Sequence, residues 1–299
     1  MDELNSKLMA TITNKDLSFS VAPNGQLVSI INEGIEYMHG AGKPTHLQTK
    51  EDILGWNNSE ITLFPIIGPP KTDYGVVVMN GDDYSLDRHG ISRCIDFEIK
   101  DIFKDSILLS QKYWGQPVLN PNFSRDKKMS KNAELLNWLP YTLDKKITNN
   151  GEFINVELSL KNDSMSKSMN FRMGWHPAFK LQGAIEDSFF YVSQDNYKII
   201  SMQEIIEQSV KGALVVPSAT NVLYINKKLN NGIFMQTKEF NDLMFWTKSK
   251  DSGMVCIEPV THVPTKDGIY LDGVASETLE PGKSKTYSVE IHPFKGSSF

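Results

Sequence analysis

Three short stretches of this chain carry side chains that could handle protons or grip a polar small molecule. In Gly174-Trp175-His176-Pro177-Ala178-Phe179 an imidazole lies between a tryptophan and a proline. Pro177 has no N–H for a strand ladder, so the run reads as a strand end, with His176 at the rim or mouth of a sheet. In Val255-Cys256-Ile257-Glu258-Pro259 a mostly apolar run leads a carboxylate to the end of a buried strand, and Pro259 stops the ladder after it. Burial raises a carboxylate pKa and nearby donors lower it, which makes Glu258 a catalytic candidate. In Asp87-Arg88-His89-Gly90-Ile91-Ser92-Arg93 a histidine and an arginine straddle a glycine that lets backbone approach a ligand or bend sharply. The arginine fork suits sugar hydroxyls, carboxylates or phosphates. Each stretch also has a plain structural reading. Arg88 or Arg93 could pair with Asp87 or Asp96 on the surface, and His176 could be a hydrogen-bonded core histidine. Trp246, on the strand before Glu258, offers either a stacking face for a sugar ring or core packing.

Other chemistries find less support. The six histidines (39, 46, 89, 176, 262 and 292) contain no HxH or HxxxH pair. Two of them and a glutamate could still meet in space, as at zinc or non-haem iron sites. No glycine-rich phosphate loop, dinucleotide fingerprint or GxSxG elbow is present. The expectation is a site with no metal and no organic cofactor.

The elements that must position these groups are mostly strands. Leu17–Val21 and Leu27–Ile31 flank the turn Pro23-Asn24-Gly25, and Val76–Met79 and Tyr84–Leu86 flank Asn80-Gly81-Asp82-Asp83. Ile95–Ile102 precedes Ser106–Tyr113, and Leu143–Ile147 and Phe153–Leu160 surround Asn149-Asn150-Gly151. Gly232–Thr237, Leu243–Thr247, Met254–Ile257 and Lys285–Ile291 continue the period-two pattern to the end. Helices are expected only at Met202–Val210 and Lys131–Leu136, and Pro117–Asn132 reads as a polar loop that rims a site or is simply solvated. This order predicts an all-β chain, a large antiparallel β-sandwich, in one domain spanning 1–299.

The 299 residues carry a formal net charge of -5, which disfavours nucleic acid and anionic membranes as partners. Two cysteines are too few for a disulfide framework. The start of the chain lacks the basic and apolar regions of a signal peptide, and no apolar run reaches the roughly 18 residues of a membrane span. The expectation is a cytoplasmic protein, monomer or homodimer, with a small-molecule partner.

Taken together the three stretches resemble the aldose 1-epimerase (galactose mutarotase-like) family, in its shorter, LacX-like branch. That branch carries HGFAR-like, GxHPAF-like and CIEPW-like segments in this order. Here they read His89-Gly90-Ile91-Ser92-Arg93, Gly174 to Phe179, and Cys256-Ile257-Glu258-Pro259-Val260. Leu63-Phe64-Pro65-Ile66-Ile67-Gly68 and Leu279-Glu280-Pro281-Gly282 add to the likeness, which runs from about Leu17 to His292. The resemblance implies a supersandwich with a sugar site in a groove on one sheet. It implies Glu258 as general base, His176 as general acid, and His89 and Arg93 as sugar-binding residues, with Trp246 a further candidate. The chain departs from the branch at Pro69-Pro70-Lys71, where an arginine is usual, at Ile91-Ser92, and at Val260, where an aromatic is usual.

The implied activity is cofactor-independent interconversion of the α and β anomers of an aldohexose, galactose among them. It needs an ionised carboxylate beside a protonated imidazole, and mutual attraction would lower the Glu258 pKa and raise that of His176. Two alternatives stay open. A hexose phosphate would need Lys71, Arg88, Arg125, Lys127 or Lys128 to face the groove. A carbohydrate-binding or sensing protein would keep the groove without turnover.

Overall fold

The computed structural model describes residues 9–42, 59–70, 76–79, 81–120, 134–193, 197–264 and 275–296. Its largest sheet has nine strands. In order they are Lys198–Ser201, Ser188–Ser193, Asn221–Asn226, Asn231–Lys238, Ser284–Lys295, Ile154–Asn162, Tyr141–Asn149, Ser106–Tyr113 and Glu98–Ile102. Every pairing is antiparallel. A five-stranded antiparallel sheet runs Leu214–Val216, Asp242–Trp246, Met254–Val260, Gly174–Lys180 and Glu60–Leu63. A four-stranded sheet, Ala10–Asn14, Leu17–Val21, Leu27–Asn32 and Ile35–Glu36, precedes both in the chain. The expected all-β sandwich architecture is what the chain adopts.

Two kinds of strand account for this. Tyr141–Asn149 alternates buried and half-buried positions, as a strand does when one face packs and the other meets water. Met254–Val260 is buried at all seven positions, and Gly174–Lys180 at six of seven. These two central strands of the five-stranded sheet are covered on both faces. Their inner face packs into the main core, where Phe64 meets Tyr141 edge-on at 4.8 Å.

The buried face of Tyr141–Asn149 contains one charged residue, Lys145. Its Nζ lies 2.5 Å from Glu60 Oε1 on the edge strand of the five-stranded sheet, and over the Phe97 ring at 4.4 Å. Glu60 also accepts from Trp175 Nε1 at 2.8 Å and from the Leu27 amide at 2.9 Å. A buried ion pair is tolerable when its remaining hydrogen-bonding capacity is filled, as it is here. The carboxylate thereby ties all three sheets together directly beneath the strand that carries His176.

Several expectations need correction. Leu135–Leu136 forms a short strand with Val118–Leu119, not a helix; both segments can pair only in extended form. Residues 121–133, which include Arg125, Lys127 and Lys128, and Lys71 lie outside the described residues. The helix forms at Met202–Ser209, closed at its start by a reciprocal Ser201–Glu204 capping box. The segment Gly174 to Phe179 does not end a strand: it lies inside one, and so does Glu258. No helix among the described residues is long and apolar enough to cross a membrane.

Candidate active site

The register of the five-stranded sheet assembles the site. Val215 pairs with Met244, Met244 with Glu258, and His176 with Ile61. Between the two central strands Gly174 sits opposite Val260 and Ala178 opposite Cys256, which sets His176 opposite Glu258. Val215, Met244, Glu258, His176 and Ile61 thus form one row across five strands, and all five line the same groove. The next row carries Trp246, Cys256 and Ala178.

Proline explains why this row is chemically available. The ladder between the central strands registers residues 174 and 178 to 180 and skips 175 to 177. Pro177 and Pro259 both fall in that gap, and neither has an N–H to bond across it. The two prolines do break pairing, as their chemistry dictates, but locally and in mid-strand. His176 and Glu258 are cross-strand neighbours there, with Nε2 and Oε1 3.2 Å apart.

Burial decides their protonation. The Glu258 side chain is 2 % exposed and that of His176 9 %. Loss of water pushes the Glu258 carboxyl up to about 8. It pushes His176 down to about 3, an effect its own backbone hydrogen bond opposes and the Arg93 cation reinforces. The expected mutual stabilisation of charges is therefore overturned: desolvation in an apolar row outweighs it. Near neutral pH the pair holds one proton, on the carboxyl, across a short contact.

His89 and Arg93 come from a loop at the edge of this sheet. His89 adopts a left-handed conformation at φ 65°, followed by Gly90 at φ 82°. A Cβ on Gly90 would meet the Phe64 carbonyl oxygen at 2.1 Å, and that carbonyl accepts from the Ile91 and Ser92 amides. The Gly68 amide donates to His89 Nδ1 at 3.1 Å, which leaves the hydrogen on Nε2. Burial, assisted by the neighbouring His176 ring and the Arg93 and Arg88 cations, holds the His89 pKa well below the usual histidine range. His89 is thus a neutral donor, its ring centroid 5.7 Å from that of His176. Arg93 donates from Nη1 to the Arg88 carbonyl at 3.2 Å. Neither Arg88 nor Arg93 forms an ion pair among the described residues, and both line the groove.

All five predicted site residues (Glu258, His176, His89, Arg93 and Trp246) line one groove of about 630 Å³. That volume is typical of small-molecule sites. Trp246 stands 6.3 Å from the His176 ring at an angle of 64°. Met244, Val215, Ile61 and Lys211 also line it and were not anticipated. Met244 was accessible in principle, since a strand places residues two apart on one face and Trp246 was already a candidate.

His176, Cys256 and Glu258 present a nitrogen, a sulfur and an oxygen within 4.8 Å of one another. Burial holds the Cys256 thiol protonated, well above the usual range, with Glu258 adding to the effect. The other two groups lie 3.2 Å apart, close enough to pass a proton between them.

The fold is that of solved galactose mutarotase-like proteins. A solved structure of a galactose mutarotase-like protein from Lactobacillus casei ATCC 334 superposes with a TM-score of 0.72, at 20 % identity, covering 96 % of this chain and all of that one. A galactose mutarotase related enzyme from Lactobacillus acidophilus gives 0.70 at 19 %, covering 97 % and 99 %. In sequence the chain is similar to the chromosomal protein LacX of Lactococcus lactis subsp. lactis, 23 % identical over 89 % of this chain and 93 % of LacX. No protein-family model matches the chain. The resemblance read from the three segments is borne out.

Proposed function

We propose that this protein is an aldose 1-epimerase, a mutarotase that opens and recloses the ring of a hexose by general acid–base catalysis. The observation that carries this reading is the His176–Glu258 pair, its Nε2 and Oε1 3.2 Å apart on the floor of a sugar-sized groove.

The chemistry follows from that proton. Transfer across the 3.2 Å contact gives carboxylate and imidazolium. The Glu258 carboxylate takes the proton from the anomeric hydroxyl while imidazolium His176 gives one to the ring oxygen. The C1–O5 bond breaks and the open aldehyde forms. Protonated Glu258 and neutral His176 are then left, which is the protonation state of the ligand-free protein. Rotation about C1–C2 exposes the other carbonyl face. Closure runs the transfers backwards: O5 attacks C1, its proton returns to His176, and Glu258 protonates the new O1. His89 Nε2–H and the Arg93 fork orient ring oxygen and hydroxyls, and Trp246 supplies a stacking face. General acid–base terms of roughly 10²–10⁴-fold each are expected. The cycle consumes no cofactor.

A second reading changes only the substrate. Arg88 and Lys211 line the groove without ion-pair partners among the described residues, which favours a phosphorylated hexose. Saturation-transfer NMR on α and β anomers of glucose, galactose and their 6-phosphates tests both readings. The enzyme reading expects exchange above the uncatalysed rate, lost in Glu258→Gln and His176→Asn but unaffected by chelators. Preference for the phosphates, lost in Arg88→Gln, would select the second. Binding without exchange for every sugar would leave a carbohydrate-binding or sensing protein instead.

A further inference from the structure

We propose that one ordered water molecule sits behind Arg93, on the far side of the edge strand from the groove, and that Thr62 holds it there. Arg93 is shared by two hollows. Its guanidinium lines the groove, and it also lines a small polar pocket of about 20 Å³ together with Glu60, Thr62 and Lys145. Three polar atoms of residues lining that pocket are buried and without a hydrogen-bond partner: Arg93 Nε, a donor, and the hydroxyls of Thr62 and Ser92, which can each donate or accept. Thr62 as a whole is 3 % exposed. Strand alternation puts Glu60 and Thr62 on one face of the edge strand, with Ile61, which lines both hollows, between them.

Size and charge choose the occupant. A water needs roughly 10–15 Å³ of such space and two to four polar partners, which this pocket meets. A small anion fits the charges less well. Lys145, the other cation at the pocket, is committed to Glu60 at 2.5 Å, and Glu60 lines the same pocket. A neutral molecule accepting from Arg93 Nε and bonding to Thr62 Oγ1 satisfies both atoms at once. Thr62 then acts as a positioning residue: it touches no sugar, but fixes the arginine that does.

The water itself is independent of the reaction; its effect on sugar affinity rests on the mutarotase reading. A crystal structure of the protein, resolved finely enough to show solvent, is expected to place a peak within hydrogen-bond distance of both Arg93 Nε and Thr62 Oγ1. Thr62→Val, which keeps shape and removes the hydroxyl, should lose the peak, and Thr62→Ser should keep it. In exchange assays Thr62→Val should raise KM about 2- to 10-fold, the cost of ordering one long side chain on binding, with kcat nearly unchanged. Thr62→Ser should restore KM. A wild-type pocket without a solvent peak, or one that gives an anomalous bromide signal after a bromide soak, overturns the proposal. If the peak is present but no sugar is turned over, the water stands and the mutarotase reading falls. Should Thr62→Val fail to fold, the wild-type density decides alone.

Discussion

Replacing Glu258 with glutamine should stabilise the protein, and by an amount that grows with pH. In the unfolded chain this carboxyl titrates near its ordinary 4.5, whereas burial in the folded protein pushes it up to about 8. Between those values the folded state keeps a proton that the unfolded state has lost. Stability therefore falls as pH rises through that window. At pH 7 the window has been crossed by 2.5 units above 4.5, and at ~1.4 kcal/mol per unit the loss is about 3 kcal/mol. The same arithmetic gives about 1 kcal/mol at pH 5 and about 4 kcal/mol at pH 8. Glutamine has the same shape, its amide can donate to His176 Nε2, and it cannot ionise. His176 contributes the opposite slope. Pushed down to about 3, it lets the folded state gain stability as pH rises towards the ordinary 6.5. That slope is common to both proteins and cancels in the difference. Urea denaturation of wild type and Glu258→Gln at pH 5, 6, 7 and 8 is the assay. The expected result is a stability gap widening from about 1 to about 4 kcal/mol in favour of the variant. Parallel curves, or a wild type more stable at pH 8, would refute the account of the pair as a desolvated acid and base.

Two further outcomes follow from the same geometry. With the uncatalysed rate subtracted, kcat/KM for anomer exchange should be level between about pH 5 and 7 and fall about tenfold per unit above about 8, where the pair loses its one proton. A rate still rising through pH 9 would contradict this. Gly90→Ala should cost about 3 kcal/mol or more, because its Cβ lands 2.1 Å from the Phe64 carbonyl oxygen at φ 82°. Gly253→Ala, at φ 65° with nothing within 4 Å of the added carbon, should cost only about 1–2 kcal/mol. Denaturation midpoints compare the two, and equal costs would show that close approach to Phe64 is not what requires the glycine.

What could be read from the sequence divides along physical lines. Period-two alternation located strands such as Ser106–Tyr113, whose one face must enter a core, and an unbroken apolar run located Met254–Ile257, which is buried on both faces. Turn residues located the hairpins. Convergence of Glu258 with His176 was what the family resemblance implied; no single segment showed it. Two properties were not legible. The prolines were read as strand terminators, since a single segment does not reveal that another strand sets its own proline into the same gap. The pKa values were misjudged in sign, because the sequence shows two opposite charges but not the apolar row around them. Lys145 illustrates the same limit from the other side. In sequence it is one of two consecutive lysines, Lys145-Lys146, and only the alternation of Tyr141–Asn149 turns it inward to meet Glu60.

The two prolines and the apolar row solve one problem jointly. A proton-transfer pair needs partners within hydrogen-bonding distance that nothing else saturates. An ordinary ladder sets cross-strand neighbours close together, but also holds their backbones in a rigid weave and leaves them facing whatever covers the sheet. Deleting two N–H donors between Gly174–Lys180 and Met254–Val260 leaves a gap in the weave at positions 175 to 177. Flanking the pair with Met244 and Ile61 then excludes the water that would hold charge on the carboxylate. With charge disfavoured on both members, the ligand-free pair rests in its neutral form. A sugar bringing its own hydroxyls, with Arg93 beside it, supplies the polarity that the empty row withholds. On this view the cost to stability at Glu258 and the capacity to pass a proton in either direction have a single origin: a carboxylic acid and an imidazole set side by side in a stretch of sheet that is otherwise hydrocarbon.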